Sequence, residues 1–182
     1  MEFIFIATAH FLALLSPGPD FFLIMQAALR LPPRYGIAIC VGIAFANGTY
    51  LLLAVLGLQI IKDIPWIVLS LNYLGAAYLL CIGVLLLQAP RRPVSNRSST
   101  YFLGVQHIGR QFMIGFMSGI LNPKNMIFYL SLFTVMVSEQ TPLITRFFYS
   151  AWMVSIVFIW DSAVVLAVGR DRVKNWLGRG VF

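Results

Sequence analysis

Asp20 and Lys124 stand where charge could do chemistry inside an apolar chain. Each directly follows a proline, in Gly18-Pro19-Asp20 and Asn122-Pro123-Lys124, and each tripeptide interrupts a long apolar stretch. Proline removes a backbone donor and clashes with the preceding turn, so a helix must stop there and restart. In a bilayer the interruption is tolerated only where the freed backbone is buried in protein or lines a polar cavity. Broken helices carrying charge at mid-membrane depth are how a transporter binding site looks in sequence. Asp161 is a third such acid. It reads either as a proton carrier or as a carboxyl buried against a neighbouring helix.

The elements that must position these residues are membrane helices. The chain is 60% hydrophobic and 10% charged, where a soluble domain has about a quarter charged residues. Residues 35–61 and 64–90 contain no charge, and each exceeds the roughly 20 residues that cross the hydrocarbon core. The pattern predicts an all-α polytopic protein with five transmembrane helices, near 3–29, 36–61, 65–88, 111–137 and 147–169. Glu2 in place of a basic leader, and the length of the first span, argue against a cleavable signal.

Basic residues set the expected orientation. Arg30, Arg34, Arg91, Arg92, Arg97, Arg110, Arg170, Arg172, Lys174 and Arg179 fall on one set of loops, and only Lys62 and Arg146 on the other. The positive-inside rule then places the amino terminus outside and residue 182 in the cytoplasm. This topology accounts for the net charge of +7. Dispersed loop charges with no recognition motif give no reason to expect nucleic acid as a partner.

Residues 89–110 are polar and rich in Pro and Ser, and read as a cytoplasmic linker. They separate residues 1–88, a three-helix repeat, from 111–182, a second and incomplete one. Aligning the tripeptides sets Phe21-Phe22-Leu23-Ile24 against Asn125-Met126-Ile127-Phe128. Three spans per half would make the repeat inverted, 3+3, with the last helix missing. Arg170 to Arg179 resembles the basic turn that would precede a sixth span.

Asn122 suits a helix N-cap and Pro123 a first helical position, and Gly18-Pro19 repeats the arrangement. Restarted helix ends present unpaired N–H groups and positive partial charge, which suit the carboxylate of an amino acid. Asp20 would then meet the substrate ammonium or take a proton, and Lys124 would pair with Asp20 in the empty site. A purely structural Asp20–Lys124 ion pair is the alternative.

Ser16-Pro17-Gly18-Pro19-Asp20-Phe21-Phe22, Gly75-Ala76-Ala77-Tyr78-Leu79 and Asn122-Pro123-Lys124 occur in the order found in the LysE/RhtB amino-acid exporters. The chain resembles that family along its whole length. The SPGPDFF form with Trp160-Asp161 is most similar to the threonine/homoserine branch. The resemblance implies efflux of small neutral amino acids across the inner (plasma) membrane, driven by the proton gradient through broken helices one and four. It implies substrate binding at Ser16, Pro17, Gly18, Pro19, Asp20, Asn122, Pro123 and Lys124, with Asp20 and Asp161 as proton-coupling candidates. Family members have a sixth span that this chain lacks, so the alternative is a truncated, non-transporting fragment or an accessory membrane protein. A homodimer is one way to cover the surface such a loss would leave.

The remaining polar residues read more plainly. Asn47 suits interhelical glue, and Gly115 with Gly119 forms a GxxxG spacing for close packing. Trp66, Tyr101, Tyr149 and Trp152 fit an interfacial belt. Cys40 and Cys81 read as packing residues, and His10 and His107 as isolated, with no partners at metal spacing. No Walker loop and no catalytic constellation is present, so neither direct ATP drive nor an enzyme is expected, and no cofactor.

Overall fold

The structure, a computed structural model, describes residues 1–61, 66, 69–70, 73, 106–138 and 140–169. Most of the span expected at 65–88, most of the 89–110 linker and the basic segment from Arg170 lie outside the described residues. The described elements are helices: α1 (Glu2–Leu15), α2 (Pro19–Arg30), α3 (Pro33–Ile61), α4 (Ile108–Ile120), α5 (Pro123–Met136) and α6 (Leu143–Val168).

Both interruptions fall where proline forces them. At the end of α1, Ser16 turns to extended backbone while its N–H still bonds to Ala13 O. Gly18 is extended and Pro19 opens α2, so the missing proline N–H costs no helical hydrogen bond. At the end of α4 the Leu121 N–H bonds to Met117 O at 3.0 Å. Asn122 then caps α5, its side-chain oxygen accepting from the Lys124 N–H at 3.1 Å. The glycine cap at Gly18 has no side chain to offer, so the two restarts differ in how the first turn is satisfied.

Among the described residues two segments, Pro33–Gly57 and Leu143–Val168, are long and apolar enough to cross a membrane, and α1 with α2 adds a third if the broken pair is one span.

The helices gather into two compact units. The first takes α1, α3 from Asn47, α5, and α6 as far as Val154; the second takes α2, α3 as far as Ala46, α4, and α6 from Ser155. The chain passes between them at both breaks, after Ser16 and after Leu121.

In the first unit α1 packs antiparallel on α5. Three polar links fix their register: Lys124 reaches Ala13 and Ser16, Tyr129 meets His10, and Ser138 meets Glu2. The Glu2 carboxylate accepts from the Ser138 N–H (3.2 Å) and from the Thr141 hydroxyl (2.9 Å). Arg146, 3% exposed, donates to the carbonyls of Thr141 (3.0 Å) and Ser138 (3.3 Å). The turn before α6 is thus held from both sides. Phe3 packs on Phe148, Tyr149 and Trp152. Trp152, read from sequence as an interfacial residue, is committed to this cluster.

In the second unit α4 lies directly on α3. A side chain at Gly115 would run into the Ile39 carbonyl, and one at Gly42 into the Phe112 carbonyl. At Gly119 an added carbon would stand 2.7 Å from the Ala46 methyl. The GxxxG spacing therefore does what its geometry allows, letting two backbones touch. Asn47 is 3% exposed, but its side-chain oxygen has no hydrogen-bond partner among the described residues, so that atom does not act as glue.

Because backbone cannot yield as a side chain can, Gly115→Leu or Gly42→Val should destabilise the protein by about 1–3 kcal/mol or more. Thermal unfolding in detergent checks this. Gly57→Ala is the control: nothing lies within 4 Å of the added carbon, so its melting temperature should hold or rise slightly.

Candidate functional site

The break residues are of two kinds, those that close a helix and those that open one. In the first unit Ser16 closes α1, while Asn122, Pro123 and Lys124 open α5. Lys124 turns its ammonium onto the end of α1, donating to Ser16 O at 2.8 Å and Ala13 O at 3.4 Å. Ala13 O also accepts from the Ser16 N–H, and both carbonyls lie at the negative end of the α1 dipole, which a cation favours. Ser16 and Asn122 are themselves buried, at 9% and 4% exposure.

In the second unit Pro17, Gly18 and Pro19 lead into Asp20, in the first turn of α2. An acid at that position favours the positive end of the helix dipole. The Ser118 hydroxyl on α4 donates to its Oδ1 at 2.5 Å. Asp161, on α6 in the same unit, is buried at 8% exposure. Cys40 on α3 is buried as an unbridged thiol near Asp161 and Ser162. Cys81 lies outside the described residues.

The structure thus brings Asp20 and Asp161 together in one unit, and Ser16, Asn122, Pro123 and Lys124 together in the other. Ser118 escaped sequence reasoning because its partner is 98 positions away and a lone serine in an apolar helix has no local signature. His10 escaped it for the same reason. Read from spacing as isolated, it sits in the α1–α5 seam with Nε2 3.4 Å from the Tyr129 hydroxyl, 119 positions away. Among the described residues no group of three His, Cys, Asp or Glu side chains is placed to hold a metal ion.

Residues 11–180 match the LysE type translocator family, a stretch that includes both breaks, Ser118 and Asp161. The chain belongs to that family. The threonine efflux protein of Salmonella typhi is 26% identical over 185 residues, covering 97% of this chain and 90% of that protein. The threonine efflux protein of Escherichia coli K12 is 25% identical with the same coverage. The uncharacterized membrane protein YrhP of Bacillus subtilis is 25% identical, over 91% of this chain and 81% of its own length. No solved structure gives a significant match. With its apolar helices, this membership makes the chain a multi-pass helical membrane protein.

Lys124→Met keeps the stem of the side chain and removes the donor to the α1 carbonyls. The loss should amount to about 1–3 kcal/mol, since a buried carbonyl then lacks its charged partner. Thermal unfolding should show it, with Lys124→Arg falling closer to the parent protein than Lys124→Met.

Proposed function

We propose that this protein exports small neutral amino acids of the threonine or homoserine type, exchanging them for protons. The observation that carries the reading is the family match across residues 11–180, which spans both proline breaks. The names of the relatives from Salmonella typhi and Escherichia coli supply the substrate class. The protein would lie in the inner (plasma) membrane with five spans, the amino terminus outside and residue 182 in the cytoplasm. The mutual pairing of break segments supports an inverted repeat: the opening segment α1 packs on α5, and α2 packs on the opening segment α4.

The break residues would share the work of binding. An α-amino acid offers one carboxylate and one ammonium, so it needs donors for the first and an acceptor for the second. Restarted helices led by Pro19 and Pro123 turn the positive ends of their dipoles toward the breaks, which suits the carboxylate. Ser16, Gly18 and Asn122 are extended and, with Pro17, set the chain ahead of those turns. Lys124 adds positive charge, and Asp20 takes the ammonium. Ser118 would keep Asp20 oriented before substrate arrives. Asp161, buried in the same unit, is the second acid and would release a proton as substrate binds. That exchange couples outward movement of amino acid to inward movement of protons.

Asp20→Asn should abolish resistance to an intracellular amino-acid load while leaving membrane insertion intact. Export at the parent rate would reduce Asp20 to structure. Orientation is tested by reporters fused after residue 182. One that folds in the cytoplasm should be active and one that works only in the periplasm silent.

A further inference from the structure

The export reading gives His10 nothing to do, yet its surroundings are built. It lies in the middle of α1, 1% exposed, against α5 and α6. Phe128 stacks on it with ring centroids 6.2 Å apart, Tyr129 is 5.9 Å away, and Trp152 meets it edge-on at 5.9 Å. Nε2 makes a long contact of 3.4 Å to the Tyr129 hydroxyl. Nδ1 is buried and has no hydrogen-bond partner among the described residues. An orphaned nitrogen in an aromatic setting is costly, and a leucine or phenylalanine would pack there without the penalty. Imidazole is also the side chain whose charge ordinarily changes between pH 5 and 8.

We propose that His10 is a proton-carrying residue of the transport cycle, taking up one proton at Nδ1 and releasing it in each turnover, with Tyr129 as its hydrogen-bond partner. The proposal rests on the export reading. In the sealed state the ring is neutral, its hydrogen on Nε2 directed at the Tyr129 oxygen, and Nδ1 carries a bare lone pair. When the α1–α5 seam admits water from one side, Nδ1 takes a proton and the ring becomes an imidazolium with two donors. The aromatic faces around it accommodate that cation. When the seam admits water from the other side, Nδ1 returns the proton and the neutral ring is restored. No bond other than N–H is made or broken. Among the described residues the ionisable groups along the seam are Glu2 at one end of α1, Lys124 from α5 at the other, and Tyr149 and Arg146 from α6 near Phe3 and Thr141. Tyr129 is the ionisable side chain that meets the ring itself.

The test uses the full chain in proteoliposomes with labelled threonine as probe and two readouts. One is accumulation driven by an imposed pH gradient, with lumenal pH followed by a trapped dye. The other is exchange of labelled for unlabelled threonine with no gradient. His10→Asn should continue to exchange while gradient-driven accumulation falls by about tenfold or more and the threonine-linked pH change disappears. Tyr129→Phe should show a smaller loss in the same direction. If His10→Asn and His10→Gln both accumulate threonine and move protons like the parent, His10 carries no proton. If both lose exchange and accumulation together, His10 is a packing residue and the proposal is again overturned. A parent protein inactive in both assays would overturn the export reading itself.

Discussion

A helix that stops in an apolar medium leaves carbonyls and N–H groups that water cannot satisfy, and this chain stops two helices that way. Everything distinctive about the described structure answers that deficit. Lys124 supplies donors to the last carbonyls of α1, and Asn122 supplies an acceptor to the first turn of α5. Ser118 and Asp20 join the other segments, α4 and α2. At the α1–α5 pair a residue opening one helix completes the closing end of the other: Lys124 caps α1. Because unsatisfied backbone in hydrocarbon costs several kcal/mol per group, the breaks and their partners stand or fall together.

Few polar residues serve the described helices, and those that do act at long range. In the first unit three long-range polar links tie α1 to α5 and the turn that follows it. Lys124 holds the break end, His10 and Tyr129 the middle, and Glu2 with Ser138 and Thr141 the far end, backed by buried Arg146. Polar links in an apolar seam fix register more sharply than methyl contacts do, because a slip by one turn would leave charges unpaired. The second unit solves the same problem by contact. Gly42, Gly115 and Gly119 let backbone meet backbone, so α3 and α4 gain dispersion over a short distance.

Function follows from having charge where backbone is already open. On the proposed reading the positive ends of the restarted helices favour a carboxylate, and an acceptor is needed for the ammonium. Asp20, in the opening turn of α2 with Asp161 buried in the same unit, is the residue the proposal gives that role.

Much of this was legible in the sequence. Pro19 and Pro123 located both interruptions to within a residue, because proline's effect on a helix is local and does not depend on what surrounds it. The Asn122 cap and the Gly115–Gly119 stripe were readable for the same reason. The sequence also carried the family resemblance, since its motifs sit at the breaks themselves. What only tertiary structure decided are the pairings across large separations: Ser118 with Asp20, His10 with Tyr129, Glu2 with Thr141, and Lys124 with the carbonyls of Ala13 and Ser16. No periodicity announces them. The choice of partner depends on which helix faces which and in what register, and that is settled by packing rather than by residue type.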